Sequence, residues 1–501
     1  MNQEINVFRS SAIFPIFINQ YIDCKITFLS YWMIKKKIPE ITCVYTVRSN
    51  TGEPIYKKNF LIICTKSYEI SFRETMGIKN FKGSVEIEFF SSKNLIFPYP
   101  AVIINYIGND SNAYVHSCGR IYNNYQDKIE NNKMIVPESG FDILPDKIFK
   151  PFFSFVNGGE FLKNEKIVLH LINCNGKKLI KKIILDKIKP YETKFIFFLK
   201  AEEKKFFKGK RGTVRIIHNF KNFYPRFLSG NFTLKEDKVS LTHSYYDLSF
   251  LKNADEKWIN PNKEIFYNPI VVFPFINKGN SLNEISIYPN FYRYSDINLN
   301  AELIDKNGKI LINKKVLKIS TKVKKIINLN FNKIFNEYEF EDNNSYFVRI
   351  FLNNHSSLPS RFKVSYNLSV GDDKPSANIC FNAILPNKFI FKKKSTFKWC
   401  AIINPNTSFI CLSNINFIKK KIFNAKIKMT IYSDNEKKKI VRHLKISNNG
   451  NLLLSFKNDE PVKKILKENT GWATFESDSP FLNGFYFDSN DNKFFAGDHL
   501  F

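Results

Sequence analysis

Glycine, arginine, methionine and tryptophan are scarce here: the 501 residues include 19 Gly, 11 Arg, 5 Met and 4 Trp. So little glycine excludes collagen-like and glycine-rich low-complexity architectures. The shortage of arginine removes the side chain that reads bases and phosphates through paired hydrogen bonds. No run of 18 apolar residues occurs, so no segment has the pattern of a membrane-spanning helix. The motifs HExxH, GxSxG and GxGxxG are missing, and with them the signatures of zinc-protease, serine-hydrolase and dinucleotide-binding chemistry. Gly158-Gly159 reads as a turn, because no Lys-Ser/Thr follows it. Eight cysteines are present, but Cys24, Cys43, Cys64, Cys118, Cys174, Cys380, Cys400 and Cys411 form no CxxC and no zinc-ligand spacing. Several lie in apolar runs such as "LIIC" and "KWCAII", where a reduced thiol packs as a small hydrophobe. The seven histidines are too dispersed to define a metal site. No metal and no cofactor is expected.

Apolar residues make up 44% of the chain and aromatics 16%, with 51 Phe, enough for packed cores and against disorder. A chain of this length exceeds one core and implies several domains. The net charge is +30, carried by 65 Lys beside the 11 Arg. With Asn, Ile and Phe also abundant, this is the profile of an AT-rich genome. The excess is read as a solvated lysine surface, with an anionic partner as the alternative. The N-terminal "MNQEINVFRSSAIFPIFINQ" shows no basic stretch followed by a long apolar one, so a cytoplasmic location is expected.

A long-period repeat organises the chain. "GSVEIEFF…", "GTVRIIHNF…", "SYFVRIFLNN…" and "GWATFESD…" begin at Gly83, Gly212, Ser345 and Gly471, and Pro100, Pro225, Pro359 and Pro480 fall at matching points after them. Each unit opens on an apolar strand ending in Asn: Asn19, Asn157, Asn277 and Asn404. Hairpin turns follow in "VRSNTGEPI", "INCNGKKLI", "IDKNGKILI" and "IYSDNEKKKI", the second and third with Asn-Gly outright and the fourth without glycine. "KAEEKKFFKGKR" and "NDEPVKKILKENT" read as short, weakly helical connections. This spacing predicts an all-β fold of four tandem β-sandwich repeats of about 125 residues, at 1–135, 136–255, 256–386 and 387–501.

The hairpin, the crossing segment and the strand after it resemble bacterial immunoglobulin-like or CARDB-type sandwich repeats, and multi-sandwich proteins of AT-rich bacterial genomes. The resemblance implies immunoglobulin-like domains and brings no catalytic residue with it.

"YVHS" at 114–117 returns as "LTHS" at 241–244, and His499 lies 256 residues after His243. A histidine recurring at the repeat period reads first as an anchor for a strand end. The other reading is a ligand site of His116, Arg120, Tyr122 and Asn123 with His243, Tyr245 and Asp247, suited to an anionic or sugar-like molecule. Arg226 and His218 bracket the "YPR" break, and Arg226 belongs with these candidates. Glu86 and Glu88 alternate on one strand face, read as solvated rather than as paired catalytic carboxylates. The function expected is therefore that of a non-catalytic binding or structural protein, with a glycan or a protein as partner. A carbohydrate-processing or other polar-substrate enzyme with its site in the first two repeats is one alternative. Electrostatic binding of nucleic acid or another anionic surface is the other, and nucleic acid is not expected as the partner.

Overall fold

The computed structural model describes the chain apart from residues 1–6, 97–99, 109, 117–118, 123–137, 222, 245–257, 260–263, 269, 290–296, 320–323, 342–343, 354–357, 360–362, 372–373, 385–387 and 491–492. Strands account for 58% of the chain and helices for 8%, so the protein is all-β, and the described residues form separate antiparallel sheets and no barrel.

The first run of strands is β1 (Phe8–Ile18), β2 (Ile22–Leu29), β3 (Ile41–Ser49), β4 (Pro54–Ile62), β5 (Ser67–Ser71), β6 (Phe81–Ser91), β7 (Val102–Gly108) and β8 (Asn112–His116). It makes two sheets, ordered β1-β6-β3-β4 and β5-β2-β7-β8. After the two-residue β9 (Arg120–Ile121) come β10 (Glu138–Ile143), β11 (Phe149–Val156), β12 (Leu162–Asn173), β13 (Lys178–Ile188) and β14 (Thr193–Phe197). This second run ends with β15 (Gly212–Ile217), the short β16 (Phe223–Tyr224), β17 (Leu228–Thr233) and β18 (Val239–His243). Its sheets are β10-β15-β12-β13 and β14-β11-β17-β18.

After the two-residue β19 (Trp258–Ile259) the third run begins with β20 (Ile270–Phe275), then β21 (Ser281–Ile287), β22 (Ile297–Ile304), β23 (Ile310–Ile319) and β24 (Ile327–Asn330). It closes with β25 (Tyr346–Asn353), the short β26 (Leu358–Pro359), β27 (Lys363–Val370) and β28 (Ala377–Asn382), giving sheets β20-β25-β22-β23 and β24-β21-β27-β28. The fourth run is β29 (Thr396–Ile402), β30 (Ser408–Asn414), β31 (Ala425–Tyr432), β32 (Lys439–Ile446), β33 (Asn451–Ser455), β34 (Gly471–Ser477), β35 (Leu482–Asn490) and β36 (Phe494–His499). Its sheets are β29-β34-β31-β32 and β33-β30-β35-β36. Four stretches of chain thus trace the same pair of strand orders.

The helices are short: α1 (Tyr31–Lys36), α2 (Phe72–Met76), α3 (Ala201–Phe207), α4 (Phe331–Ile334) and α5 (Glu460–Leu466). The last four each precede the strand beginning at or near Gly83, Gly212, Ser345 and Gly471. Two of them are the connections expected to be weakly helical. Asp459 caps α5 by accepting from the Val462 amide at 3.3 Å, which satisfies an otherwise orphaned donor of the first turn. Aromatic pairs close the two sheets of a run on each other. Phe28 on β2 meets Phe89 on β6 at 5.2 Å, and Phe273 on β20 meets Tyr366 on β27 at 5.0 Å.

All four hairpins lie where the turn chemistry puts them, between β3 and β4, β12 and β13, β22 and β23, and β31 and β32. Gly52, Gly176 and Gly308 take φ of 93°, 79° and 88°, the left-handed region that glycine enters without a Cβ penalty. Two of the series used to find the repeat need correction. Gly83, Gly212 and Gly471 pair with Ile16, Ile143 and Ile402, and the residue in that place in the third run is Tyr346, paired with Phe275, not Ser345. Asn277 and Asn404 lie two residues past the first-strand residue paired at that place and Asn19 three, while Asn157 follows β11, the second strand of its run. Both strands are apolar, aromatic-rich and end where backbone groups need a polar partner, so residue pattern alone does not separate them. The Asn157 amide donates to the carbonyls of Glu160 and Lys189, both at 2.8 Å, and Asn414 at the end of β30 donates likewise to Phe423 and Ser447 at 2.6 and 3.2 Å.

The chain divides into two compact units. One comprises residues 1–173, 178–246 and 434–436, and the other 174–177, 247–433 and 437–501. Within the first, the β3–β4 turn docks on the second run: the Thr193 amide donates to the Asn50 carbonyl at 3.0 Å. Within the second, the β22–β23 turn docks the same way, with the Asn451 amide donating to the Lys306 carbonyl at 3.1 Å.

Candidate functional site at the strand ends

The recurring histidines occupy matching places. His116 ends β8, His243 ends β18 and His499 ends β36, while Asn382 ends β28. His116 and His243 are buried, and their rings meet edge to face with centroids 4.6 Å apart.

The bonds of His243 define its protonation. Its Nε2 lies 2.9 Å from Nη2 of Arg226, and its Nδ1 lies 3.2 Å from the Ser244 carbonyl. A guanidinium only donates, so Nε2 accepts and Nδ1 carries the proton it gives to the carbonyl. Both ring nitrogens are occupied in the neutral imidazole. A general base or a metal ligand needs a free lone pair, and here the lone pair is engaged by Arg226. Ser244 is no better placed as a nucleophile. Its Oγ accepts from the Phe227 amide at 3.1 Å and its own amide donates to the Phe227 carbonyl at 2.7 Å, so it ties the end of β18 to the start of β17. The adjacent His and Ser meet through a backbone carbonyl, not through the hydroxyl. His499 repeats the device, with Nδ1 3.0 Å from the Leu500 carbonyl.

Of the other residues singled out, Arg120 is buried on β9, which pairs with β16, and its Nε donates to Ser11 Oγ at 3.3 Å. Tyr122 follows β9 and is half-buried. Asn123, Tyr245 and Asp247 lie outside the described residues. The structure thus brings His116, His243 and Arg226 together and turns Arg120 toward β1.

Glu86 and Glu88 do share a face of β6, but that face is not solvated. Glu86 is buried and accepts from Arg9 at 2.9 Å, with Arg48 at 3.5 Å; Arg9 also reaches Glu88 at 2.7 Å. Arg48 stacks over the Tyr191 ring, 4.1 Å from its centroid. Burial and the neighbouring Glu88 push the Glu86 carboxyl up to about 7, against the pull of Arg9 and Arg48. Arg349 and Glu302 make a second buried pair at 2.6 Å, between β25 and β22. Sequence reading missed these pairs because the partners are 38 to 79 residues apart. A signal existed in charged residues placed singly within β-rich runs.

No family model matches the chain, and no curated protein matches it.

Proposed function

We propose that the chain is a non-catalytic binding or structural protein built of four tandem immunoglobulin-like β-sandwiches, at about residues 1–135, 136–255, 256–386 and 387–501, with a glycan or a protein as its partner. The single observation that carries this reading is the bonding of His243. Its two nitrogens and the Ser244 hydroxyl are all consumed in holding strand ends, and His499 uses the same bond to the next carbonyl. Repetition of one strand order suits a scaffold whose recurring residues serve the fold, since catalytic groups have no reason to recur at equivalent positions.

Replacing His243 with Ala tests it. The change removes the partner of a half-buried guanidinium and of a carbonyl, and is expected to cost about 1–3 kcal/mol of stability in thermal or denaturant melts. A variant with an unaltered melt that loses glycan or protein binding would overturn the structural role of the histidine. Product formation from a glycan library would overturn the non-catalytic reading itself.

A further inference from the structure

The two units pack their paired runs alike, yet differ at one place inside the pairing. In the first unit five phenylalanines cluster there, with Phe17, Phe152 and Phe232 buried, Phe195 half-buried and Phe197 at the exposed margin. Phe17, one residue past the partner of Gly83, lies 4.9 Å from Phe232 and 6.5 Å from Phe152. Phe152 in turn lies 4.7 Å from Phe232 and 5.5 Å from Phe197, and Phe195 lies 6.1 Å from Phe17.

Sheet register identifies the counterparts in the second unit. Phe152 pairs with Phe197 and Gly230, as Phe409 pairs with Ser455 and Phe487. Leu228 opposite His243 matches Phe485 opposite His499, which makes Ser489 the counterpart of Phe232. Ile276, one residue past the partner of Tyr346, stands for Phe17, and Leu453 stands for Phe195. Four of the five rings are thus replaced by Ile, Leu, Ser and Ser. A cleft of about 150 Å³ opens there, floored by Ile276, Phe409, Cys411 and Leu453. That is the volume that houses a benzene ring in a protein interior.

The rim is cationic. Lys278 and Lys457 both line the cleft, where counting from Ile276 and Ser455 shows that the first unit has Asn19 and Leu199. The Lys278 ammonium lies 5.7 Å from the Phe409 ring centroid and 3.2 Å from Ser489 Oγ. Asn277 and Asn406 add amides, and the Thr407 hydroxyl is held by Asp488. An apolar floor of one-ring size beneath two lysines and two amides is complementary to an aromatic body with an anionic head.

We propose that this cleft in the second unit binds a small aryl carboxylate, and that its counterpart in the first unit is closed to ligands by Phe17. The proposal rests on the reading of the protein as a non-catalytic binder, which it supplies with a ligand class.

Phenylacetate and its uncharged analogue phenylacetamide serve as probes for the full chain, followed by calorimetry and ligand-observed NMR. Saturable 1:1 binding of phenylacetate is expected, weakened about tenfold in Lys457→Gln while phenylacetamide binding is little changed. The variant Ile276→Phe/Ser455→Phe rebuilds the plug of the first unit. It should abolish binding of both probes with the melting temperature kept or raised, so that lost binding is not lost folding. Absence of saturable binding to the wild-type chain, or undiminished binding to the plugged variant, overturns the proposal. Either outcome leaves the scaffold reading standing, whereas conversion of phenylacetate would sink that reading and keep the cleft.

Discussion

The imidazole of His218 lies in the core of the second run, 4.7 Å from the Phe220 ring and 5.2 Å from Phe227. Its Nδ1 accepts from the Phe220 amide at 3.3 Å, and burial alone lowers its pKa to about 3. The folded state therefore holds the neutral ring, while the unfolded chain binds a proton below about 6.5. A depressed histidine pKa means fewer protons bound in the fold, so this group favours unfolding as pH falls from about 6.5 toward 3. At pH 5 the penalty is of order 2 kcal/mol. Equilibrium melts of His218→Phe against wild type should show the loss between pH 7 and pH 5 shrinking by about that amount. An identical acid slope in both proteins would mean that other groups carry it. His243 sits in the same run under opposite demands, since Arg226 and the Ser244 carbonyl use both of its nitrogens.

Hairpin turns do more than reverse the chain. Gly52 and Gly308 sit at positive φ, and each turn also presses against the neighbouring run of its own unit. A Cβ on Gly52 would stand 2.2 Å from the Pro190 carbonyl oxygen, and one on Gly308 would stand 2.5 Å from that of Asn448. Backbone strain and collision act in the same direction, so Gly308→Ala should destabilise the protein by about 1–3 kcal/mol or more, read as a lowered denaturant midpoint. An unchanged midpoint would show that the turn is not held against its neighbour. The fourth strands of the runs, β4, β13, β23 and β32, each form a sheet edge, and they carry exposed lysines: Lys57 and Lys58, Lys178 and Lys182, Lys315 and Lys318, Lys439 and Lys445. Charge on an edge opposes strand addition by another chain. Part of the lysine excess thus has a physical role that composition did not reveal.

Across the whole molecule the basic charge divides by residue type. Arg9, Arg349 and Arg442 are paired with acids of their own units, while Arg226 and Arg120 turn to His243 and Ser11. Lysines occupy the edges. With these five arginines committed to partners, association with DNA is expected to come from the net charge of +30. It should be indifferent to sequence and fall away between about 50 and 200 mM salt in fluorescence anisotropy titrations. Binding that survives 200 mM salt would point to a nucleic-acid surface instead. At this scale the 256-residue spacing is the telling one: it relates His243 to His499 and Gly52 to Gly308, corresponding positions in the two units.

The β class, the hairpin turns, the helical connections and the strand-end position of the histidines were legible in the residues themselves. Each follows from local chemistry: alternation of apolar side chains, the positive φ that glycine allows at a turn, and recurrence at a fixed period. Which apolar strand an asparagine terminates was not legible, because β1 and β11 are both apolar and rich in Phe, and their hydrogen-bonded neighbours tell them apart. Nor was the burial of Glu86, which depends on guanidiniums brought from β1 and β3, or the state of His243, which an arginine 17 residues away decides. The cleft beside Phe409 is the clearest case. Ile276, Leu453, Ser455 and Ser489 are unremarkable apart in the sequence, and a cavity exists only where packing sets small side chains at the places the first unit fills with rings.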